Sequence, residues 1–169
     1  MPAFKSKGAA WFELKILDWD QDIHQTCDYE GAKKVAQMIN ELALKEEQLL
    51  GDSKKLFFAG FSQGGPLAGL AASNHPRPVG GILFYSTFLN KPYQISETQS
   101  YTPIYWSHGT EDSINPYKQA CDHNEGIFNG KRTVKHTLID GLGHSVTTRI
   151  QDETKKFMEE ALAFNRPKL

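Results

Sequence analysis

Apolar residues first settle into a regular rhythm between Asp28 and Leu50. Ala32, Val35, Ala36, Ile39 and Leu42 recur every three to four positions and fall on one stripe of a helix. Asp28 is placed to cap its start and Gly51 its end. The rhythm then changes to short apolar runs bounded by turn residues. Lys55–Phe61, Val79–Ser86 and Thr102–Ser107 read as buried strands, and Thr133–Ile139 alternates as a fourth. Between them lie a small-residue helix from Gly64 to Ser73 and a helix from Asn115 to Phe128 with Pro116 near its start. Thr147–Phe164 closes the chain as an amphipathic helix through Ile150, Thr154, Phe157, Met158 and Ala161. The polar stretch Asn90–Tyr101, with Pro92, reads as a surface loop, and Ala10 to Trp19 as an irregular aromatic-rich opening. Strands alternating with helices predict an α/β fold built on a mostly parallel sheet.

Length and composition narrow the function classes. The 169 residues suit one domain spanning 1–169, and a chain of this size buries enough surface to fold without staples. Hydrophobic residues make up 39% and charged residues 23%, which excludes a disordered or fibrous chain. Nineteen Lys and Arg against twenty Asp and Glu give a net charge of −1, so nothing global draws the chain to nucleic acid or an anionic membrane. No apolar run reaches the length of a membrane span, and the N-terminus lacks the apolar core of a secretory signal. Cys27 and Cys121 lie far apart with no CxxC, which fits a reducing compartment; a cytoplasmic location is the expectation.

The strongest chemical signal is Gly60-Phe61-Ser62-Gln63-Gly64, a GxSxG between a buried strand and a helix. A serine in such a turn is held strained and exposed above the sheet, and both flanking glycines are expected to make room for close backbones. The Gln63 amide would sit at a helix N-terminus, where it can stabilise an oxyanion. An activated serine needs a base, and the base an orienting carboxylate. In this type of fold they follow in the order acid, then histidine, on loops after later strands. Asp112, after the third strand, and His144, after the fourth, meet that order, and both fall at the C-terminal edge of the sheet where ligand chemistry gathers. Glu111 is the nearest competitor to Asp112, and Asp140 lies too close to His144 in sequence to reach its ring. His108 reads as structural, its ring bonded to loop backbone. His24, His75, His123 and His136 read as solvated.

Other chemistries fit less well. Gly60–Gly65 matches the front of a phosphate loop, but Pro66 and Leu67 stand where Lys and Ser or Thr are required. There is no GxGxxG, no HExxH and no Cys/His cluster with zinc spacing, so neither a cofactor nor a metal is expected.

GFSQGG, HGTEDSINP and GLGHS, in that order, resemble the acyl-protein thioesterase / phospholipase–carboxylesterase family of α/β hydrolases. Ala10-Trp11-Phe12 is similar to that family's Ser/Ala-Trp-Phe/Tyr segment, and the resemblance covers essentially the whole chain. It implies Ser62 as nucleophile, Asp112 as orienting acid, His144 as base and Gln63 as donor of one oxyanion-hole amide. It implies esters or thioesters as substrates: S-acylated proteins, lysophospholipids or simple carboxylic esters. It also implies a three-layer α/β-hydrolase sandwich, here reduced to about four core strands. The family's earlier strands carry a His-Gly loop that supplies the second oxyanion amide, and no such loop precedes Ser62. The expectation is therefore an esterase or thioesterase whose nucleophile strand, through an edge including Phe57 and Phe58, takes up a partner chain or a further N-terminal segment. The alternative is a weak or inactive hydrolase-like subunit of a larger assembly.

Overall fold

The structure is a computed structural model that describes residues 10–14, 27–87, 89, 95–120 and 133–164. Four parallel strands, β1 (Phe57–Phe61), β2 (Gly81–Tyr85), β3 (Ile104–Gly109) and β4 (Val134–Ile139), lie side by side in chain order. Helices α1 (Tyr29–Leu50) and α2 (Gly64–Asn74) cover one face, and α3 (Thr148–Phe164) packs on the other. The expected alternation, parallel pairing and three layers are all present.

A sheet covered on both faces needs apolar side chains on both sides of each strand. In β2, Ile82 and Phe84 enter the core beneath α1 and α2, while Leu83 enters the core beneath α3. In β3, Ile104 and Trp106 face the first core and Tyr105 the second. Each such side chain, fully buried, stabilises the fold by about 1.5–3 kcal/mol relative to exposure. The α3 stripe is the expected one: Ile150, Phe157 and Ala161 are buried, with Met158 packed beside them. Among the described residues that helix is what covers its face, and it leaves a groove of about 530 Å³ against Tyr85, Val146, Thr154, Met158 and Leu162.

Several expectations need correction. Residues Ser53–Lys55 form a 3₁₀ turn, so the first strand starts at Phe57, two residues late. Leu42 is 61% exposed; the α1 stripe continues instead through Asn40 and Ala43. Asn40 is tolerated inside because its amide donates to the Asn74 carbonyl at 3.3 Å and its Oδ1 meets His75 Nδ1 at 2.9 Å. His75 is accordingly buried rather than solvated, with its other ring nitrogen 3.0 Å from Glu47. The stretch 95–101 is only partly surface, because Ile95 and Gln99 are buried. Gln99 is stable there because both ends of its amide are bonded: Oε1 accepts from Val79 N–H and Thr102 Oγ1, and Nε2 donates to the Arg77 carbonyl. Residues 117–120 are helical, and the rest of the helix expected to Phe128 lies outside the described residues, as do 90–94, His24, His123 and Cys121. Among the described residues no helix is long and apolar enough to cross a membrane.

β1 pairs only with β2 among the described residues and forms the edge of their sheet. Its exposed side chains are Ala59 and Phe61, not Phe58, which is buried in the first core. The edge expected from the sequence is there, but its apolar surface lies nearer the elbow than expected.

Candidate active site

Ser62 sits in the sharp turn between β1 and α2, with φ of 52°. A non-glycine residue in this left-handed region costs about 1–2 kcal/mol, so its surroundings must hold it there. They do so through both of its main-chain groups. Its N–H donates to the Tyr85 carbonyl at 2.9 Å. Its carbonyl accepts from Gly65 N–H at 3.0 Å and from Thr87 Oγ1 at 2.7 Å.

The turn is possible because Gly60 has no side chain. A Cβ there would lie 2.0 Å from the Gly64 carbonyl oxygen and 2.6 Å from Gly65 N, both backbone atoms that cannot yield. The second glycine of the motif is not required in the same way. A Cβ on Gly64 would meet nothing within 4 Å; the crowded position is Gly65, where it would meet Thr87 Cγ2 at 2.4 Å. The steric need falls one residue later than the motif suggests.

Gln63 caps α2, so its backbone N–H is one of the donors at a helix start that have no partner within the helix. Its side chain has a role that the sequence did not disclose. Oε1 accepts from Trp11 N–H at 3.1 Å and Nε2 donates to the Phe12 carbonyl at 2.8 Å. These two bonds pin the Ala10-Trp11-Phe12 segment to the elbow, with Phe12 buried and Trp11 exposed.

Asp112 and His144 are brought together across two loops. His144 Nδ1 lies 2.9 Å from Asp112 Oδ2. Asp112 Oδ1 accepts from the backbone N–H of Ile114 at 3.0 Å and of Asn115 at 2.8 Å. A carboxylate only accepts, so His144 Nδ1 carries the hydrogen of that bond, which in the neutral ring leaves the lone pair on Nε2. Asp112 is 3% exposed, whereas Glu111 beside it is exposed, which separates the two competing carboxylates. Asp140 is occupied elsewhere and accepts from Thr110 Oγ1 at 3.2 Å. The loop bearing His144 can cross the end of β3 because Gly109 is bare; a Cβ there would lie 2.0 Å from the Leu142 carbonyl oxygen.

Ser62 and His144 meet through a neighbour. The Phe61 ring packs on the His144 ring with centroids 4.6 Å apart, and among the described residues no hydrogen bond joins the Ser62 hydroxyl to His144. Hydrogen bonds of this kind are often long in an unliganded site and shorten when substrate binds. Among the described residues no group of three or more His, Cys, Asp and Glu side chains is arranged to hold a metal ion.

His108 lies behind Asp112 and is 1% exposed. Its Nε2 donates to the Asn115 carbonyl at 2.7 Å and stands 3.4 Å from Asp112 Oδ2, matching the structural role expected of it. Its Nδ1 has no partner among the described residues. Burial pushes its titration down, outweighing the pull of the Asn115 carbonyl and Asp112, so the ring is held neutral. Below about pH 6.5 an unfolded histidine takes up a proton that folded His108 resists, so unfolding gains as pH falls. Chain stability should therefore decline from pH 7 towards pH 5, and His108→Gln should flatten that decline in urea titrations at a series of pH values. An unchanged slope in the variant would remove His108 as the cause.

Sequence reasoning passes over Asn115, Ser86 and Thr87. Asn115 reads from the sequence as the start of a helix; it is buried ahead of it, in the turn that carries Asp112. An Asn-Pro pair shortly after a His-Gly at a strand end is a turn signal that could have found it.

Acyl-protein thioesterase 1 of Eremothecium gossypii is 26% identical over 164 residues, covering 94% of this chain and 68% of that protein. A rice protein (Oryza sativa subsp. japonica) named a probable inactive carboxylesterase is 27% identical over 139 residues, covering 80% of this chain and 57% of its own length. Among solved structures, Arabidopsis thaliana SOBER1 superposes with a TM-score of 0.74 at 21% identity, over 90% of this chain and 74% of that one. That likeness shows a shared α/β-hydrolase fold. Residues 1–162 match the profile described as Phospholipase/Carboxylesterase, and the chain belongs to that family.

Proposed function

We propose that this chain is a serine hydrolase that cleaves carboxylic esters or thioesters, with Ser62 as nucleophile, His144 as general base and Asp112 as the group that orients it. The observation that carries the reading is the hydrogen bond between His144 and the buried Asp112, beside a serine held at positive φ. His144 Nε2 takes the Ser62 proton as Oγ attacks the acyl carbonyl. The Gln63 N–H faces the developing oxyanion. Collapse of the tetrahedral intermediate expels the alcohol or thiol, which receives the proton from His144. Water, deprotonated in turn by His144, then hydrolyses the acyl-enzyme and frees Ser62. The three side chains complete this cycle without a cofactor. The names of the relatives support S-acylated proteins and small carboxylic esters as substrates, and lysophospholipids fit the family's phospholipase description.

A fluorophosphonate probe tests the reading. It should modify Ser62 and no other serine, with labelling abolished in Ser62→Ala, as peptide mapping would show. Modification elsewhere with Ser62 untouched would defeat the assignment.

A second reading is a weak or inactive hydrolase-like subunit within a larger assembly. It is favoured by the edge position of β1, with Phe61 41% exposed, and by the groove beside α3. Among the described residues no second strand pairs with β1, and a strand at such an edge is suited to pairing with a partner chain or a further segment. Absence of labelling in the native chain would favour this second reading.

A further inference from the structure

We propose that the Asn115 side chain is a positioning residue for hydrolysis, a joint that ties the turn carrying Asp112 to the turn that holds Ser62. The inference rests on the hydrolase reading above and goes beyond it by assigning a role outside the Ser62, Asp112 and His144 set.

Asn115 is buried, and its backbone N–H, backbone carbonyl and side-chain NH₂ bond to three different parts of the site. Its backbone N–H donates to Asp112 Oδ1 at 2.8 Å, and its carbonyl accepts from His108 Nε2 at 2.7 Å. These two contacts shape the acid turn from within. The side-chain amide leaves that turn and donates to the Ser86 carbonyl at 2.6 Å, across 29 residues of sequence.

Ser86 is where such a bond matters. It follows β2 directly, is buried, and has φ of 45°, held like Ser62 in the left-handed region. Its two neighbours are the residues that grip Ser62. The Tyr85 carbonyl takes the Ser62 N–H, and Thr87 Oγ1 donates to the Ser62 carbonyl. The peptide groups on either side of Ser86 therefore set the elbow. A serine left to itself relaxes out of positive φ, and that rotation swings Thr87 away from Ser62. The Asn115 amide opposes the rotation by holding the Ser86 carbonyl, which is buried and otherwise loses a donor. Removing the amide should thus loosen Ser62 and the Asp112–His144 pair relative to each other while every reacting group remains. A shift of about 1 Å between reacting groups is enough to cost 10²-fold in rate.

The test uses the full chain and a p-nitrophenyl ester of a short acid. Asn115→Ala should lower kcat by about 10- to 100-fold with KM within twofold, since no substrate contact is removed. Adding Ser86→Gly to Asn115→Ala should recover a large part of the loss, because glycine occupies the left-handed region without being held there. A side chain that only fills space would show the opposite, with the two changes adding their losses. If Asn115→Ala fails to fold, Asn115→Ser, whose hydroxyl is too short to reach the Ser86 carbonyl, is read the same way. A variant kcat within twofold of the parent overturns the proposal and leaves the hydrolase reading standing. So do a fall confined to KM and a double variant worse than the single. A native chain that neither hydrolyses the ester nor labels at Ser62 overturns the hydrolase reading, and the positioning role falls with it.

Discussion

Asp112→Asn should lower ester turnover by about 10⁴, while Glu111→Gln leaves it within a fewfold of the parent. The two acids are adjacent in sequence and differ only in what the fold does with them. Asp112 is buried, with His144 on Oδ2 and two backbone N–H groups on Oδ1. The substitution keeps the shape of the side chain. If its amide nitrogen faces His144, the ring must turn a lone pair to it, and the hydrogen moves to Nε2, where the lone pair is needed for Ser62. If its amide nitrogen faces the two backbone N–H groups instead, donors meet donors. Either way the base is no longer held in the productive tautomer. Glu111 is exposed, and only its backbone takes part in the turn, through a 3.0 Å bond to the Leu142 carbonyl. Steady-state rates with a p-nitrophenyl ester, and the rate of fluorophosphonate labelling of Ser62, measure both variants. Near-parental activity in Asp112→Asn with a dead Glu111→Gln would transfer the role to the exposed carboxylate and break the proposed mechanism.

Gly60→Ala should destabilise the fold by on the order of 4 kcal/mol, one of the largest effects a single methyl group can have. The added carbon would lie 2.0 Å from the Gly64 carbonyl oxygen and 2.2 Å from its carbon. Both belong to the first turn of α2, so relief requires β1 and α2 to separate, and that opens the core between Phe58 and Leu67. Gly64→Ala is the matched control. It belongs to the same motif, its new carbon would have no neighbour within 4 Å, and alanine suits a helix better than glycine by about 1 kcal/mol. Urea midpoints and soluble yield should separate the pair, Gly60→Ala falling sharply and Gly64→Ala holding or rising. Equal losses in the two would mean that the elbow needs glycine for a reason other than the contact with α2.

Much of this protein is legible in its sequence alone. Periodicity separates α1 and α3 from the strands, because an amphipathic helix writes its buried stripe into the chain every three to four residues. The runs at Phe57–Phe61 and Gly81–Tyr85, and the first half of Ile104–Gly109, are apolar throughout or nearly so, as strands of a sheet covered on both faces must be. The order of GFSQGG, HGTEDS and GLGHS along those strands is a property of the chain too, and with a parallel sheet it places Ser62, Asp112 and His144 at one edge.

What the sequence could not decide depends on partners distant in the chain. His75 and Gln99 look solvated as isolated polar residues; they are buried because Asn40, Glu47, Val79, Arg77 and Thr102 satisfy them from elsewhere. The need for glycine at Gly65 rather than Gly64 follows from where Thr87 stands, 22 residues later. Asn115 lies in the HGTEDSINP segment, whose Asn-Pro pair marks a turn, but the role of its side chain exists only because folding sets its amide 2.6 Å from the Ser86 carbonyl. Local pattern thus determined the elements and the order of the chemical groups, since both are encoded in short-range periodicity and spacing. The tertiary structure decided which polar groups are buried and which backbone turns are held in strained form, since a hydrogen bond between remote residues is formed by the fold and leaves no local mark in the chain.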